Sequence, residues 1–122
     1  MKSVVLLACA LLWSGSALAQ HKHGQKGLNG GPMQDVAGVH AELLTTGATV
    51  TVNVFDEDNK PIGTKGFSGS ALIVTGAERE TVALVPTGES GLKGEAKKAI
   101  TAGSAITVVL KTAAGKSGQV KF

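Results

Sequence analysis

Six side chains between residues 21 and 42 are of types that could ligate a metal: His21, His23, Met33, Asp35, His40 and Glu42. His40 and Glu42 are two apart, so on an extended segment they share a face. An imidazole beside a carboxylate is a donor pair for a transition metal. The neutral ring supplies a nitrogen lone pair, and the carboxylate offsets the charge of the ion. Met33 adds a soft thioether, which with histidine suits Cu(I), whereas histidine with carboxylate suits Zn(II) or Cu(II). His21 and His23 stand in a polar leader, QHKHGQKG, and a flexible arm could bring both to one ion. The spacing is generic, with none of the specificity of paired Cys-x-x-Cys or of His-Glu-x-x-His on a helix. The same residues also have a purely structural reading. His40 then bonds a loop carbonyl, Met33 fills a gap in the core and Asp35 caps a turn.

Catalysis has little to build on. His40 is the one histidine in the region expected to fold, and no local pattern sets a nucleophile beside it. Ser68-Gly69-Ser70 lacks the preceding Gly-x of a nucleophile elbow. The glycines of Gly27-Leu28-Asn29-Gly30-Gly31 precede an extended segment, where a phosphate loop would follow a strand. No enzymatic activity is expected. Asp56-Glu57-Asp58 does not have the alternating acids, central glycine and distal glutamate of a calcium loop. It is expected to be a solvated hairpin turn.

The elements that must position these residues begin after a leader. Met1-Lys2, the apolar run Val4–Leu12 and the small-x-small site Ala17-Leu18-Ala19 have the pattern of a secretory signal peptide cut between Ala19 and Gln20. The run is shorter than the ~20 residues of a membrane-spanning helix. Removing residues 1–19 from the 122 leaves 103, and takes with it the single Cys (Cys9), the single Trp (Trp13) and Lys2. The mature chain is then without a thiolate or an internal disulfide, and its formal charge falls from +3 to +2. Periplasmic localisation follows as the expectation. With three Phe, no Tyr and no basic cluster interleaved with aromatics, the mature chain lacks a nucleic-acid or sugar-stacking surface.

Residues 20–35 read as a flexible His/Gly-rich arm and turn. Residues 36–122 read as one all-β domain. Ala48–Phe55, ATVTVNVF, alternates with Val50, Val52 and Val54 on one side and Thr49, Thr51 and Asn53 on the other. Further short strands are expected at Val39–Leu44, Ser70–Val74, Arg79–Val85, Leu92–Ala96, Ser104–Thr112 and Gln119–Phe122. Ile62–Gly69 is expected as an irregular or edge strand. Seven or eight short strands about ten residues apart, with Gly, Pro or Asp at the turns, predict a small antiparallel β-sandwich, immunoglobulin-like or similar, or a small barrel. The expected core is Val39, Leu43, Val50, Val52, Val54, Leu72, Val74, Val82, Leu84, Ile106, Val108, Leu110, Val120 and Phe122. Lys97–Gly103 is a polar crossing or a single helical turn.

The segments Asn29-Gly30-Gly31-Pro32 and Gly38-Val39-His40-Ala41-Glu42-Leu43, with Phe55–Pro61 and the ending Gly115-Lys116…Phe122, resemble small exported bacterial proteins of unassigned function. The Gly-Gly…His-x-Glu-Leu segment is also similar to one in periplasmic adaptor subunits of heavy-metal efflux systems. The chain departs from a full adaptor, having neither coiled-coil helices nor a lipoyl-like domain. It also lacks the Trp and paired Met of small periplasmic copper chaperones. The resemblance implies a periplasmic β-domain tied to metal efflux or metal tolerance. Together with the residues themselves, it gives the expectation of a soluble periplasmic binding or accessory protein whose partner is a copper or zinc ion at His40 and Glu42, with Met33, His21 and His23 as auxiliaries, or an envelope efflux component. The rival expectation is a metal-independent interaction module that accepts a partner's strand along Ile62–Gly69.

Overall fold

The computed structural model describes residues 26–122, and these are all-β. Eight strands follow one another: β1 (Met33–Val36), β2 (Val39–Thr46), β3 (Thr49–Phe55), β4 (Ser68–Thr75), β5 (Glu78–Thr87), β6 (Gly91–Glu95), β7 (Ala105–Lys111) and β8 (Ser117–Lys121). Every pairing is antiparallel, and the strands form one sheet in the order β1-β2-β3-β6-β5-β4-β7-β8. The small all-β sandwich or barrel class expected from the sequence is the one observed.

The sheet curls because β5 serves both halves. Its residues Glu78–Leu84 pair with β4, and Val85–Thr87 pair with β6. A strand that changes partners in this way makes the corner of a folded sheet. The curl brings β8 back against the β1–β2 turn, where Gly118 packs on Val36 and Ala37. No backbone ladder joins β1 to β8, so the barrel is nearly closed but keeps a seam.

Alternation decides what the curl encloses. Val50, Val52 and Val54 from β3, Ala41 and Leu43 from β2, Val82 and Leu84 from β5, Leu92 from β6 and Ile106, Val108 and Leu110 from β7 form one apolar cluster. Val39, Val120 and Phe122 pack against it, partly buried. In β4 the facing differs from expectation. Ala71 and Ile73 are the buried pair, and Leu72 and Val74 face outward. The run Ala71-Leu72-Ile73-Val74 is apolar throughout, so it carries no alternation from which a face could be read.

Two boundaries also shift. Ile62–Phe67 is not a strand: Ile62 N–H donates to the Val54 carbonyl at 3.1 Å, Thr64 N–H to Glu89 at 3.1 Å and Phe67 N–H back to Thr64 at 2.9 Å. Thr64, wholly buried, ties the segment down by donating its hydroxyl to the Gly91 carbonyl at 2.9 Å. Ser68 and Gly69 belong to β4, an interior strand bonded on both sides, so the edge expected along Ile62–Gly69 does not exist. At the other end, Met33–Asp35 is not arm but β1, and the domain starts earlier than residue 36. Lys97–Gly103 crosses the barrel end without a helical turn, held by Ile100 N–H donating to the Gly47 carbonyl at 2.8 Å.

Candidate functional site

The hairpin of β1 and β2 carries the candidate residues. Val36 and Val39 pair across the two-residue turn Ala37-Gly38, whose φ values of 51° and 81° are those of a type I′ turn. The register then sets Asp35 opposite His40 and Met33 opposite Glu42. Directly opposite residues of an antiparallel pair share a face. Met33, Asp35, His40 and Glu42 therefore stand together on the outward face, and β3 adds Phe55 in the row of His40 and Asn53 in the row of Glu42. Ala41 and Leu43 point the other way, into the core.

His40 and Asp35 meet. The imidazole Nδ1 lies 2.6 Å from the Asp35 carboxylate Oδ1, with the histidine side chain 23% exposed and the aspartate 81%. A carboxylate acceptor at Nδ1 holds the proton there, so a neutral ring keeps its lone pair on Nε2. The ring is thereby oriented by a partner from the neighbouring strand. That is the arrangement by which metal-ligating histidines are commonly positioned.

Glu42 does something else. It is fully buried, beneath the loop Gly27–Gly31. Its Oε2 accepts the Asn29 N–H at 2.9 Å and the Gly31 N–H at 3.0 Å, and its Oε1 accepts the Asn29 side-chain amide at 2.8 Å. The loop fits because Gly31 has no side chain: a Cβ there would run into the Leu43 carbonyl. With three donors and no exposure, the carboxylate is spent on anchoring the loop. The reading of Glu42 as a ligand beside His40 gives way to this structural role, since ligation would take the carboxylate from all three donors and leave the buried Gly31 N–H unpaired. Met33, opposite Glu42 in the ladder, is 8% exposed.

His21 and His23 lie outside the described residues. Among the described residues no three His, Cys, Asp or Glu come together. The acidic turn is as expected: Asp56 Oδ1 accepts the Asp58 and Lys60 N–H groups at 2.9 and 3.0 Å, so the first of its three acids caps the turn. The Asn29–Glu42 bonds escaped the sequence reading. Asn29-Gly30-Gly31-Pro32 is legible as a turn, but its anchor lies thirteen residues away and leaves no local signature.

A second concavity lies at the far end of the barrel. It encloses about 440 Å³ between the β4–β5 hairpin and the crossing 96–101, with Ile73, Ala96 and Ile100 as its apolar floor. Its acids are engaged: Glu80 accepts the Lys97 N–H at 2.7 Å, and Glu78 pairs with Lys98 at 3.1 Å. Of the residues singled out from the sequence, the four that are described, Met33, Asp35, His40 and Glu42, do not line it.

Among the described residues no helix is long and apolar enough to cross a membrane. Comparison with family models, with curated proteins and with solved structures finds no match.

Proposed function

We propose that this chain is an accessory protein of the bacterial envelope that binds a transition-metal ion, copper or zinc, on the outer face of the β1–β2 hairpin, in the service of metal efflux or tolerance. The observation that carries the reading is the 2.6 Å contact between Asp35 and His40 Nδ1, which leaves Nε2 as the donor atom of an oriented ring. Asp35 supplies negative charge beside the ion, and Met33, two residues away on the same strand face, is the nearest soft donor. One imidazole and one carboxylate do not complete a coordination shell. The remaining ligands come from outside the described residues, from the arm histidines His21 and His23 or from the efflux component that exchanges the ion. Glu42 contributes only by fixing the loop over the site.

The experiment is a ¹H–¹⁵N NMR titration of the chain with Zn(II), Cu(II) and, anaerobically, Cu(I). Saturable shifts centred on Asp35 and His40 are expected, and His40→Ala should abolish them while leaving amide dispersion unchanged. Shifts confined to His21 and His23, and unaffected by His40→Ala, would mean that no folded site exists.

The second reading, a metal-independent interaction module, is favoured by one observation: among the described residues β1 and β8 each have a single bonded neighbour. Strand addition would use one of these edges. Complex formation with a partner peptide, with no response to any metal, would decide for it.

A further inference from the structure

The outward face of β5, β4, β7 and β8 carries charge of one sign only. The buried residues of these strands fix their alternates as outward. The middle of the face holds Leu72, with Thr81 and Thr107 on either side, and Val109 in the next row beside Ser70. Val109 is 41% exposed and Val85, on the same side of β5, is 58% exposed. The charged residues stand at the margins. Arg79 is level with Val74, Lys111 with Ser68, and Lys121 with Thr107. All three are exposed cations.

The chain has no side-chain carboxylate with which to neutralise this face. Its acids number nine, and the residues before Lys26 contribute none of them, so all nine can be placed. Asp35 and Glu42 are on β1 and β2, and Asp56, Glu57 and Asp58 are in the turn after β3. Glu89 is in the turn after β5, and Glu95 is on β6, level with Thr49. Glu78 and Glu80 belong to β5 but share the side of Thr75 and Ile73, opposite to that of Arg79. There the crossing engages them, through Lys98 and through the Lys97 N–H.

The cations stand too far apart to converge on one small anion. Lys121 is level with Thr107, four residues along β7 from Lys111, a separation of about 13 Å between backbones. Arg79 is level with Val74 and hence with Ala105, six residues from Lys111, or about 20 Å. The face lies on the outside of the curl, and Leu72, Val85 and Val109 line neither of the concavities at the barrel ends. Such a surface matches a broad partner bearing many separate negative charges. Its exposed apolar residues are short aliphatics, without the Trp or Tyr that anchor protein interfaces.

We propose that this face docks reversibly on a bilayer rich in anionic phospholipid headgroups. Arg79, Lys111 and Lys121 pair with headgroups, and Val85 and Val109 rest against the interface between them. The three cations are dispersed along the sequence, and only the strand order gathers them on one face. The inference is independent of the metal reading.

The test is co-sedimentation of the chain, expressed from residue 1, with vesicles of phosphatidylcholine, alone or with equimolar phosphatidylglycerol. The readout is the preference for the anionic vesicles, in which any uptake through the apolar run Val4–Leu12 cancels. The parent should show that preference and lose it as salt is raised. Arg79→Glu, Lys111→Glu and Lys121→Glu combined should weaken it at least about tenfold. Lys60→Glu, Lys65→Glu and Lys116→Glu combined make the same change of net charge at exposed positions off this face, and should weaken it less than about twofold. The neutral combination Arg79→Gln, Lys111→Gln and Lys121→Gln should fall between the parent and the first reversed variant, with an unchanged circular dichroism spectrum. Equal losses in the two charge-reversed variants would overturn the assignment to this face, and a parent without the preference would overturn the docking. Binding to poly-L-glutamate that needs the same three cations, with no uptake by anionic vesicles, would overturn the bilayer in favour of an acidic protein.

Discussion

Glu42 and His40 are two residues apart on one strand face, and the fold gives them opposite fates. His40 remains partly exposed and is oriented by Asp35, while Glu42 is covered and saturated by Asn29 and Gly31. The i, i+2 spacing was legible in the sequence; the loop that separates them was not, because it returns from thirteen residues upstream. The anchoring role makes a sharp contrast between substitutions. Glu42→Ala leaves the buried Gly31 N–H without an acceptor and frees the two part-buried donors of Asn29, and should cost about 2–4 kcal/mol. Glu42→Gln keeps one carbonyl oxygen for the two backbone donors and presents its NH₂ to Asn29, whose side-chain amide can turn its oxygen inward. Its cost should be about 1 kcal/mol. Urea denaturation of the two variants checks this, and equal losses would mean that the carboxylate does not hold the loop. Neither substitution removes the Asp35–His40 contact, so a metal response should survive Glu42→Gln.

At the scale of the element, legibility followed alternation. β3 alternates valine with threonine or asparagine, and the expected inward set of Val50, Val52 and Val54 is the observed one. β5 and β7 were readable for the same reason, with Val82 and Leu84, and Ile106, Val108 and Leu110, facing in. β4 has no such pattern over Ala71–Val74, and its facing is fixed only by its two neighbours. Ala71 sits between Val82 and Val108, and Ile73 between Glu80 and Ile106. β1 escaped notice because four residues of mixed polarity, MQDV, carry too short a period to register. The facing of β4 can be tested directly. Ile73→Thr puts a hydroxyl into the apolar cluster and should cost about 2–3 kcal/mol, whereas Leu72→Thr on the outward face should cost less than about 1 kcal/mol. Measured costs in the reverse order would show that β4 sits one residue out of the register described.

At the scale of the whole molecule the unusual feature is a sheet whose two edges meet without bonding. An unpaired edge invites strand addition by other chains, and full closure is the structural remedy. Here β8 comes up against the β1–β2 turn, and Gly118 is what admits it. A side chain at that position would begin with a Cβ 3.1 Å from the Ala37 nitrogen and 3.4 Å from Val36 Cγ2. Those contacts are too tight for the neighbours to stay where they are. Val36 is itself part of the core cluster and cannot move far without opening it. Gly118→Val should therefore push β8 off the turn. The overpacking should cost about 1–3 kcal/mol, and the edges of β1 and β8 should become available to a second copy. Sedimentation velocity across a concentration series should show the parent unchanged and Gly118→Val shifting toward dimers or larger species as concentration rises. The seam also bears on the proposed metal site, because it lies beside the strand that carries Asp35. A wedge at Gly118 that loosens β1 should weaken metal binding without touching any ligand. A variant that stays monomeric, keeps its stability and binds metal as the parent does would show that the contact of β8 with Val36 and Ala37 is incidental to closure.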